Sequence, residues 1–183
     1  MTKVLAILAI SAALLPAQLA TKKMADGRVW TTVNLNSAVV SPSYCYDDRE
    51  ANCVKYGRLY TWESAQAVCR TLGAAWKLPS NEDWRRLVTS YGPLREESLE
   101  RAKIAFDALM TGGSSGFDVV LGGGRSDTDH TYARGDAHGF YWTSTESGPN
   151  TAWMYNLGRN GQAVNRHKDI AKPDAYSVRC VRD

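Results

Sequence analysis

The chain contains four cysteines, and whether they pair decides which folds are open to it. They lie at Cys45, Cys53, Cys69 and Cys180. Their spacing matches no Cys-x-x-Cys redox motif and no common zinc-ligand pattern. An even count is typical of two disulfides, with three possible connectivities, if the chain is exported to an oxidising compartment.

The N-terminal residues indicate export. Lys3 gives a positive start, Val4 to Leu15 is an apolar run, and small residues follow at Ala17 and Ala20. This order is typical of a secretory signal peptide, and the run is too short to span a bilayer. We therefore predict a signal peptide at residues 1–20, with its cleavage site left open. The mature chain is expected to be secreted or held at the cell surface, with no membrane span.

Composition narrows the class of protein further. Of 183 residues, 44% are hydrophobic and 22% are charged, as in an ordinary globular protein of one domain. The 22 basic and 19 acidic residues give a net charge of +3. Nucleic-acid binders usually concentrate basic residues on one face, whereas Lys and Arg are scattered here. We therefore predict no nucleic-acid partner.

Helical patterns come first along the chain and strand patterns follow. Ser80, with Asp83 three residues later, predicts a capped helix, and Asn160-Gly161 predicts a β-hairpin. Helices are predicted at 63–72, 80–91 and 93–110, the last with Leu99, Ala102, Phe106 and Leu109 on its apolar side. Strands are predicted at 28–35, 117–121, 140–145, 152–157, 162–167 and 176–182. Helices followed by an antiparallel sheet indicate the α+β class.

Several stretches of the sequence resemble one known family. They are residues 26–36, 44–62, 76–84, 141–146 and 176–183. In this order they closely resemble the Fibrobacter succinogenes major paralogous domain, over residues 25–183. The resemblance implies a bacterial, exported domain with a C-type-lectin-like fold and with the pairs Cys45–Cys53 and Cys69–Cys180. It implies no reaction, because fold-level likeness alone does not carry function.

The C-terminal half also resembles the variable region of diversity-generating-retroelement target proteins, which display mutable side chains to bind ligands. Side chains alternate along residues 152–157, and we predict that Trp153, Tyr155 and Leu157 pack inward while Met154 and Asn156 face outward. The predicted ligand-binding residues are Glu146, Asn150, Met154, Asn156, Arg159, Asn160, Gln162, Asn165, His167 and Asp169. The alternative is a solvated hairpin with no ligand.

No cofactor is predicted, although calcium is an alternative at two groups of acidic residues. They are Asp127, Asp129 and Asp136 in a glycine-rich stretch and, as a weaker case, Asp47, Asp48 and Glu50. Carboxylate oxygens suit calcium, but acidic residues are also common in ordinary turns. The EF-hand pattern is absent.

The sequence thus predicts a non-catalytic binding module for a glycan, peptide, protein or cell-envelope ligand outside the cell. One alternative is a structural surface protein that self-assembles through the same sheet. Another is an enzyme of the formylglycine-generating type, which shares the broad fold but needs two reactive cysteines close together. Because the second half holds Cys180 alone, that chemistry is disfavoured.

Overall fold

The structure, a computed structural model, describes residues 19–183. This part of the chain contains four α-helices, ten β-strands and a 3-10 helix at Tyr46–Asp48. The helices are α1 (Glu50–Tyr56), α2 (Trp62–Arg70), α3 (Asn81–Thr89) and α4 (Ala102–Leu109). The strands are β1 (Thr21–Lys23), β2 (Val29–Thr31), β3 (Ser43–Tyr44), β4 (Leu59–Tyr60), β5 (Gly122–Arg125), β6 (Tyr132–Gly135), β7 (His138–Gly148), β8 (Thr151–Gly158), β9 (Ala163–Ala171) and β10 (Val181–Arg182). Within residues 19–183, no helix has the length and apolar character needed to cross a membrane.

The largest sheet has five strands in the order β6-β5-β7-β8-β9. Its neighbouring strands are antiparallel except for β5 and β7, which run parallel where Gly123 lies opposite Gly139. The hairpin predicted at Asn160-Gly161 joins β8 to β9 and is confirmed. A second sheet, β1-β2-β10, pairs Val181 with Trp30 and so joins the two ends of the described chain. Strands β3 and β4 form a third, two-stranded sheet.

Both faces of the β7–β8 hairpin are covered. Tyr141 and Tyr155 lie opposite each other and belong to a first core with α3 and α4. The next pair, Trp142 and Met154, belongs to a second core with α2. Because successive side chains of a strand point to opposite faces, the middle of this hairpin is buried on both sides and separates the two cores.

Helix α3 begins where the sequence predicts. The Ser80 hydroxyl accepts a hydrogen bond from the Asp83 N–H, and the Asp83 carboxylate accepts one from the Ser80 N–H. This capping box satisfies two backbone donors that the helix leaves unpaired. One turn on, Trp84 is fully buried and its ring stacks on that of Tyr155, with 5.4 Å between centroids. The prediction of a capped, core-facing helix is confirmed.

Two disulfides join Cys45 to Cys53 and Cys69 to Cys180. These are the pairs that the family resemblance implies, so the prediction is confirmed. The second disulfide closes 111 residues of chain and fastens α2 to the residue before β10. Together with the helices and sheets, it confirms the α+β class with two disulfides.

The third predicted helix is shorter than expected, because α4 begins at Ala102 and not at Pro93. Leu94 donates its N–H to a Glu97 side-chain oxygen, and Glu97 donates its own N–H back to the Leu94 carbonyl. These bonds close a turn before the helix begins. Leu99, predicted to lie on the apolar side, is 73% exposed, whereas the rest of that side is buried as predicted.

The strand predicted at residues 117–121 is wrong, because β5 begins only at Gly122. The carbonyl oxygens of Phe117 and Asp118 each accept a hydrogen bond of 2.7 Å from the Arg179 guanidinium. They are therefore occupied by a side chain instead of a neighbouring strand. Arg179 is fully buried, and desolvation lowers its pKa.

The first described residues already belong to the fold. Leu19 packs against the second core, and the Ala20 carbonyl accepts a hydrogen bond from the Thr32 N–H. Strand β1 follows at once, ahead of residue 25, where the domain is expected to start. Apart from Leu19 and Ala20, the predicted signal peptide lies outside the described residues.

Candidate functional site

One side of the five-stranded sheet carries a set of ring and amide side chains that we call the aromatic face. It consists of His138, Phe140, Asn156, Asn165, His167 and Tyr176. The register sets Phe140 opposite Asn156, and Asn156 opposite Asn165. Cross-strand partners point to the same side of a sheet, and so do residues two apart on one strand. The strands β7, β8 and β9 therefore place five of these side chains on one side of the sheet, and Tyr176, which follows β9, joins them through its ring contact with Phe140.

Contacting rings form the centre of the aromatic face. The His138 and Phe140 rings lie 5.5 Å apart and nearly parallel, at 13°. Phe140 contacts Tyr176 at 5.3 Å, and Tyr176 meets the buried Trp142 ring edge-on at 5.0 Å. His138, Phe140 and Tyr176 are only half-buried. The core thus holds these rings in place while part of each stays open to solvent.

The prediction that Met154 and Asn156 face outward is wrong, since each is only 6% exposed. Met154 packs in the second core. The Asn156 amide nitrogen lies 3.1 Å from the His138 Nδ1 and 3.4 Å from the Gly139 carbonyl oxygen. Both side chains are buried because the second core covers the side of β8 that was expected to be open. Trp153, expected inward, is half-buried beside Arg166.

Asn165 and His167 are the two predicted site residues that lie on the aromatic face with their side chains accessible. Partial desolvation lowers the pKa of His167. Its imidazole is therefore neutral at neutral pH and can both donate and accept a hydrogen bond. The amide of Asn165 has the same double capacity. The register places Asn165 beside Asn156, which contacts His138, and His167 opposite Met154, while the role of both as ligand contacts stays a prediction.

The other predicted residues lie at the two ends of the sheet. Near the β7–β8 turn are Glu146, Asn150 and Asp169, and the β8–β9 turn holds Arg159, Asn160 and Gln162. Glu146 forms an ion pair of 3.3 Å with Lys172. All six are exposed, and they fall into two groups at opposite ends of β8.

A cleft of about 180 Å³ opens beside the stacked rings. Phe140 and Tyr176 contribute to its lining together with residues of β5, β6 and the loop between them. These are Gly124, Arg125, Ser126, Thr131, Ala133 and Arg134. Gly124 is required there, because a Cβ at this position would lie 2.4 Å from the Tyr176 ring. The close approach of strand and ring shapes one side of the cleft.

Two arginines border this cleft. The Arg125 guanidinium lies over the Tyr44 ring, 4.1 Å from its centroid, and 5.8 Å from the centroid of Tyr132. Arg134 is exposed, and its Nη1 lies 3.4 Å from the His138 Nε2. Neither arginine forms an ion pair with an acidic residue in the described part of the chain. Arg134 thus lies beside the ring of His138, whereas the Arg125 guanidinium lies over Tyr44, on the side of β5 opposite to Gly124 and Tyr176.

Sequence reasoning assigned none of these rings and arginines to the site. Alternation along β7 could have found His138 and Phe140, since the inward Tyr141 sets both on the opposite side. Arg125 and Arg134 carried no such signal. Arg125 borders the cleft only because its backbone pairs with Ala175, which belongs to the last segment of the chain.

The first group of acidic residues considered for calcium is not gathered into a site. Among residues 19–183, Asp127, Asp129 and Asp136 do not bring their carboxylates within metal-ligand distance of one another. Hydrogen bonds from the Thr131 N–H and hydroxyl lower the pKa of Asp129. Those from Lys55 and Tyr56 lower the pKa of Asp136. Each of these two carboxylates thus already has protein donors.

The second acidic group also offers no metal ligands of the expected kind. The one described grouping of ligand-type side chains is Cys45, Glu50 and Cys53. Its two sulfurs are bonded to each other in a disulfide, so neither is a thiolate ligand. Asp48 instead accepts a hydrogen bond of 2.6 Å from the Tyr132 hydroxyl, and the pKa of that hydroxyl is raised to about 12 by burial and by the carboxylate.

Comparison with known proteins adds one positive finding. The model of the Fibrobacter succinogenes major domain matches residues 18–182, which include both disulfides, the aromatic face and the cleft. No curated protein and no solved structure matches the chain. Because the match spans nearly the whole sequence, it applies to the fold as a whole and not to one motif. The chain belongs to the Fibrobacter succinogenes major domain family.

Proposed function

We propose that this protein is an exported, non-catalytic binding module that presents the aromatic face to a glycan, peptide, protein or cell-envelope ligand. The observation that carries the proposal is the row of half-buried rings at His138, Phe140 and Tyr176, anchored on the buried Trp142. Rigid aromatic side chains provide contact area at low cost in conformational entropy. Binding hot spots are enriched in tyrosine, tryptophan and arginine. Of these types, Tyr176 belongs to the aromatic face and Arg134 lies beside His138.

A C-type-lectin-like fold is part of the proposal. It is supported by the family resemblance, by the pairing of β2 with β10 and by the Cys69–Cys180 disulfide. A surface diversified by a retroelement would need positions that tolerate replacement. Asn165 and His167 suit that role because neither belongs to the two cores.

Export is supported by the disulfides and by the signal-peptide pattern at the start of the sequence. Disulfides persist in oxidising compartments and are rare in the cytosol. We therefore place the ligand outside the cytoplasm.

The two alternatives receive less support. A formylglycine-generating enzyme would need two free cysteines, but all four are held in disulfides. Self-assembly by strand pairing would use an edge of the sheet, such as β9. That strand carries Arg166, Lys168 and Asp169, and charged side chains on an edge strand oppose pairing with another chain.

The test is binding of the oxidised mature protein to a glycan panel and to cell-envelope fractions, in calcium and in chelator. The double variant Asn165→Ala, His167→Ala should weaken binding at least about tenfold and leave the melting temperature unchanged. The control is Lys103→Ala, an exposed residue of α4, which packs on the opposite side of the sheet.

Unchanged binding by the double variant would overturn the assignment of the site. Binding lost in chelator would establish the calcium alternative. Light scattering that rises with concentration, without any binding, would favour self-assembly.

A further inference from the structure

We propose that His138 and Arg134 together hold one carboxylate of the ligand, and that this carboxylate is an aspartate or glutamate side chain of a polypeptide. The inference rests on the proposed binding function and names the class of ligand. It starts from one contact, in which the Arg134 Nη1 lies 3.4 Å from the His138 Nε2. Whether that ring nitrogen carries a hydrogen decides what the pair can bind.

Asn156 sets the position of the hydrogen on the His138 ring. The Asn156 amide nitrogen lies 3.4 Å from the Gly139 carbonyl oxygen and 3.1 Å from the His138 Nδ1. A carbonyl oxygen only accepts hydrogen bonds, so the nitrogen end of the amide faces both atoms and the Nδ1 accepts from it as well. In a neutral imidazole one nitrogen accepts and the other carries the hydrogen. The hydrogen therefore lies on Nε2, the nitrogen next to Arg134.

The His138 Nε2–H and the Arg134 guanidinium are thus two donors that cannot bond each other. Arginine has no acceptor atom and stays protonated in proteins, and Arg134 forms no ion pair with an acidic residue within residues 19–183. Asp174 reaches this surface, but one of its oxygens accepts from the Tyr176 hydroxyl and the other from the Asp127 N–H. A ligand oxygen about 2.9 Å from both nitrogens satisfies the two donors, and a charged oxygen forms the stronger bonds.

The His138 ring is held in place before any ligand arrives. It stacks on Phe140, with 5.5 Å between centroids and 13° between planes. It also lies against the backbone of Gly158, where an added Cβ would come within 2.8 Å of the ring. Together with the contact to Asn156, these neighbours set the direction of the Nε2–H. A donor whose direction is already set loses little side-chain entropy when it binds.

The surroundings favour a polypeptide side chain as the carrier of the carboxylate. The cleft that Arg134 lines has about 180 Å³, whereas drug-sized ligands occupy pockets of at least about 300 Å³, so it suits one side chain. Phe140 and Tyr176 also line it and can pack against methylene groups. Tyrosine, asparagine, glycine and arginine are enriched in the protein-binding surfaces of antibodies, and here they are represented by Tyr176, Asn165, Gly124 and Arg134.

NMR of the oxidised mature protein, with labelled histidine ring nitrogens, tests the position of the hydrogen. The chain has three histidines, and the variant His138→Phe identifies which signals belong to His138. At neutral pH we expect its Nε2 to be protonated and its Nδ1 to be bare. A hydrogen found on Nδ1 overturns the proposal before any ligand is added.

Binding is then measured by NMR titration with matched small probes. They are N-acetyl-glutamate N-methylamide and its glutamine counterpart, which has nearly the same shape but no charge. We expect the glutamate probe to bind at least about tenfold more tightly, to shift the His138 signals and to bind more weakly as salt rises. Methyl glucuronide is a separate arm, which presents a carboxylate on a sugar.

Two variants remove the two donors. Arg134→Gln removes the charge, and His138→Phe removes the N–H but keeps a ring beside Phe140, so each should abolish most of the preference for the glutamate probe. Arg134→Lys should retain only part of it, because lysine lacks the planar fork. Arg134 is exposed, so its replacement should leave the melting temperature unchanged even if His138→Phe weakens the packing around Asn156. The matched control is Arg70→Gln, which removes an exposed arginine from α2.

The outcomes separate this inference from the proposed function. Equal binding of the two amino-acid probes, no binding of the glutamate probe, or a preference that survives both Arg134→Gln and His138→Phe overturns the carboxylate subsite, while the panel of glycans and envelope fractions decides the binding function independently. Tighter binding of methyl glucuronide than of the glutamate probe overturns the assignment to a polypeptide. A folded protein that binds no probe, no glycan and no envelope fraction overturns both.

Discussion

Asn156 shows how a single polar side chain can be misassigned from strand alternation. Its neighbours in the chain, Tyr155 and Leu157, are fully buried, so alternation predicts that Asn156 is exposed. It is instead a buried member of the aromatic face, where it contacts His138 and the Gly139 carbonyl. A buried amide without partners is costly, and here these contacts supply them.

Asn156→Ala should therefore lower stability by about 1–3 kcal/mol, because it leaves the His138 nitrogen and the Gly139 carbonyl with one partner fewer. Asn165→Ala, on the accessible side of β9, should change stability by less than about 0.5 kcal/mol. Urea unfolding of both variants measures the difference. Equal stability of the two variants would mean that Asn156 is not held in the way described.

Arg179 is a second polar side chain that is fully buried in the fold. It is a fully buried cation whose partners are all oxygens of uncharged groups: the carbonyls of Thr31, Phe117 and Asp118 and the side chain of Asn34. One side chain thus joins β2 to the irregular segment before β5. This explains why a residue pattern typical of a strand at 117–121 does not form one.

At the scale of elements, helix α3 forms where local sequence and tertiary contacts agree. Its capping box is local, while its buried side is completed by residues of β7 and β8. The segment before α4 is the contrasting case. Its apolar residues suit a helix, but Glu97 closes a turn with Leu94, and the helix begins only at Ala102.

Removing the N-terminal cap of α3 tests how much the capping box contributes to the stability of the protein. Ser80→Ala should lower the free energy of unfolding by about 1 kcal/mol, because the Asp83 N–H loses its acceptor. Ser114→Ala, an exposed serine in the turn after α4, is the matched control and should have little effect. Thermal or urea unfolding gives the comparison, and equal effects of the two substitutions would contradict the assigned cap.

At the scale of the whole molecule, the two disulfides close loops of very different length. Cys45–Cys53 spans 8 residues and ties α1 to the segment just before it, whereas Cys69–Cys180 spans 111 and links the second core to the end of the chain. In the chain-entropy model, a longer closure removes more freedom from the unfolded chain. The long disulfide should therefore contribute more to stability.

The paired variant Cys69→Ala, Cys180→Ala should lose roughly 4–5 kcal/mol, and the paired variant Cys45→Ala, Cys53→Ala about 2–3 kcal/mol. Guanidinium unfolding without reductant, with the remaining disulfide checked by mass, measures both. A larger loss from removing the short disulfide would show that strain or local packing, and not loop closure, dominates.

The α+β class, the start of α3, the β8–β9 hairpin and an even set of cysteines followed from the sequence by itself. Each depends on residues close together in the chain or on a simple count, as Ser80 with Asp83 and Asn160 with Gly161 illustrate. Only the tertiary structure decided that the side of β8 carrying Met154 and Asn156 is covered, and that Gly124 of β5 lies against Tyr176 beside Phe140. A strand's alternation shows which side chains share a side, but the burial of that side depends on segments that arrive from far away in the chain.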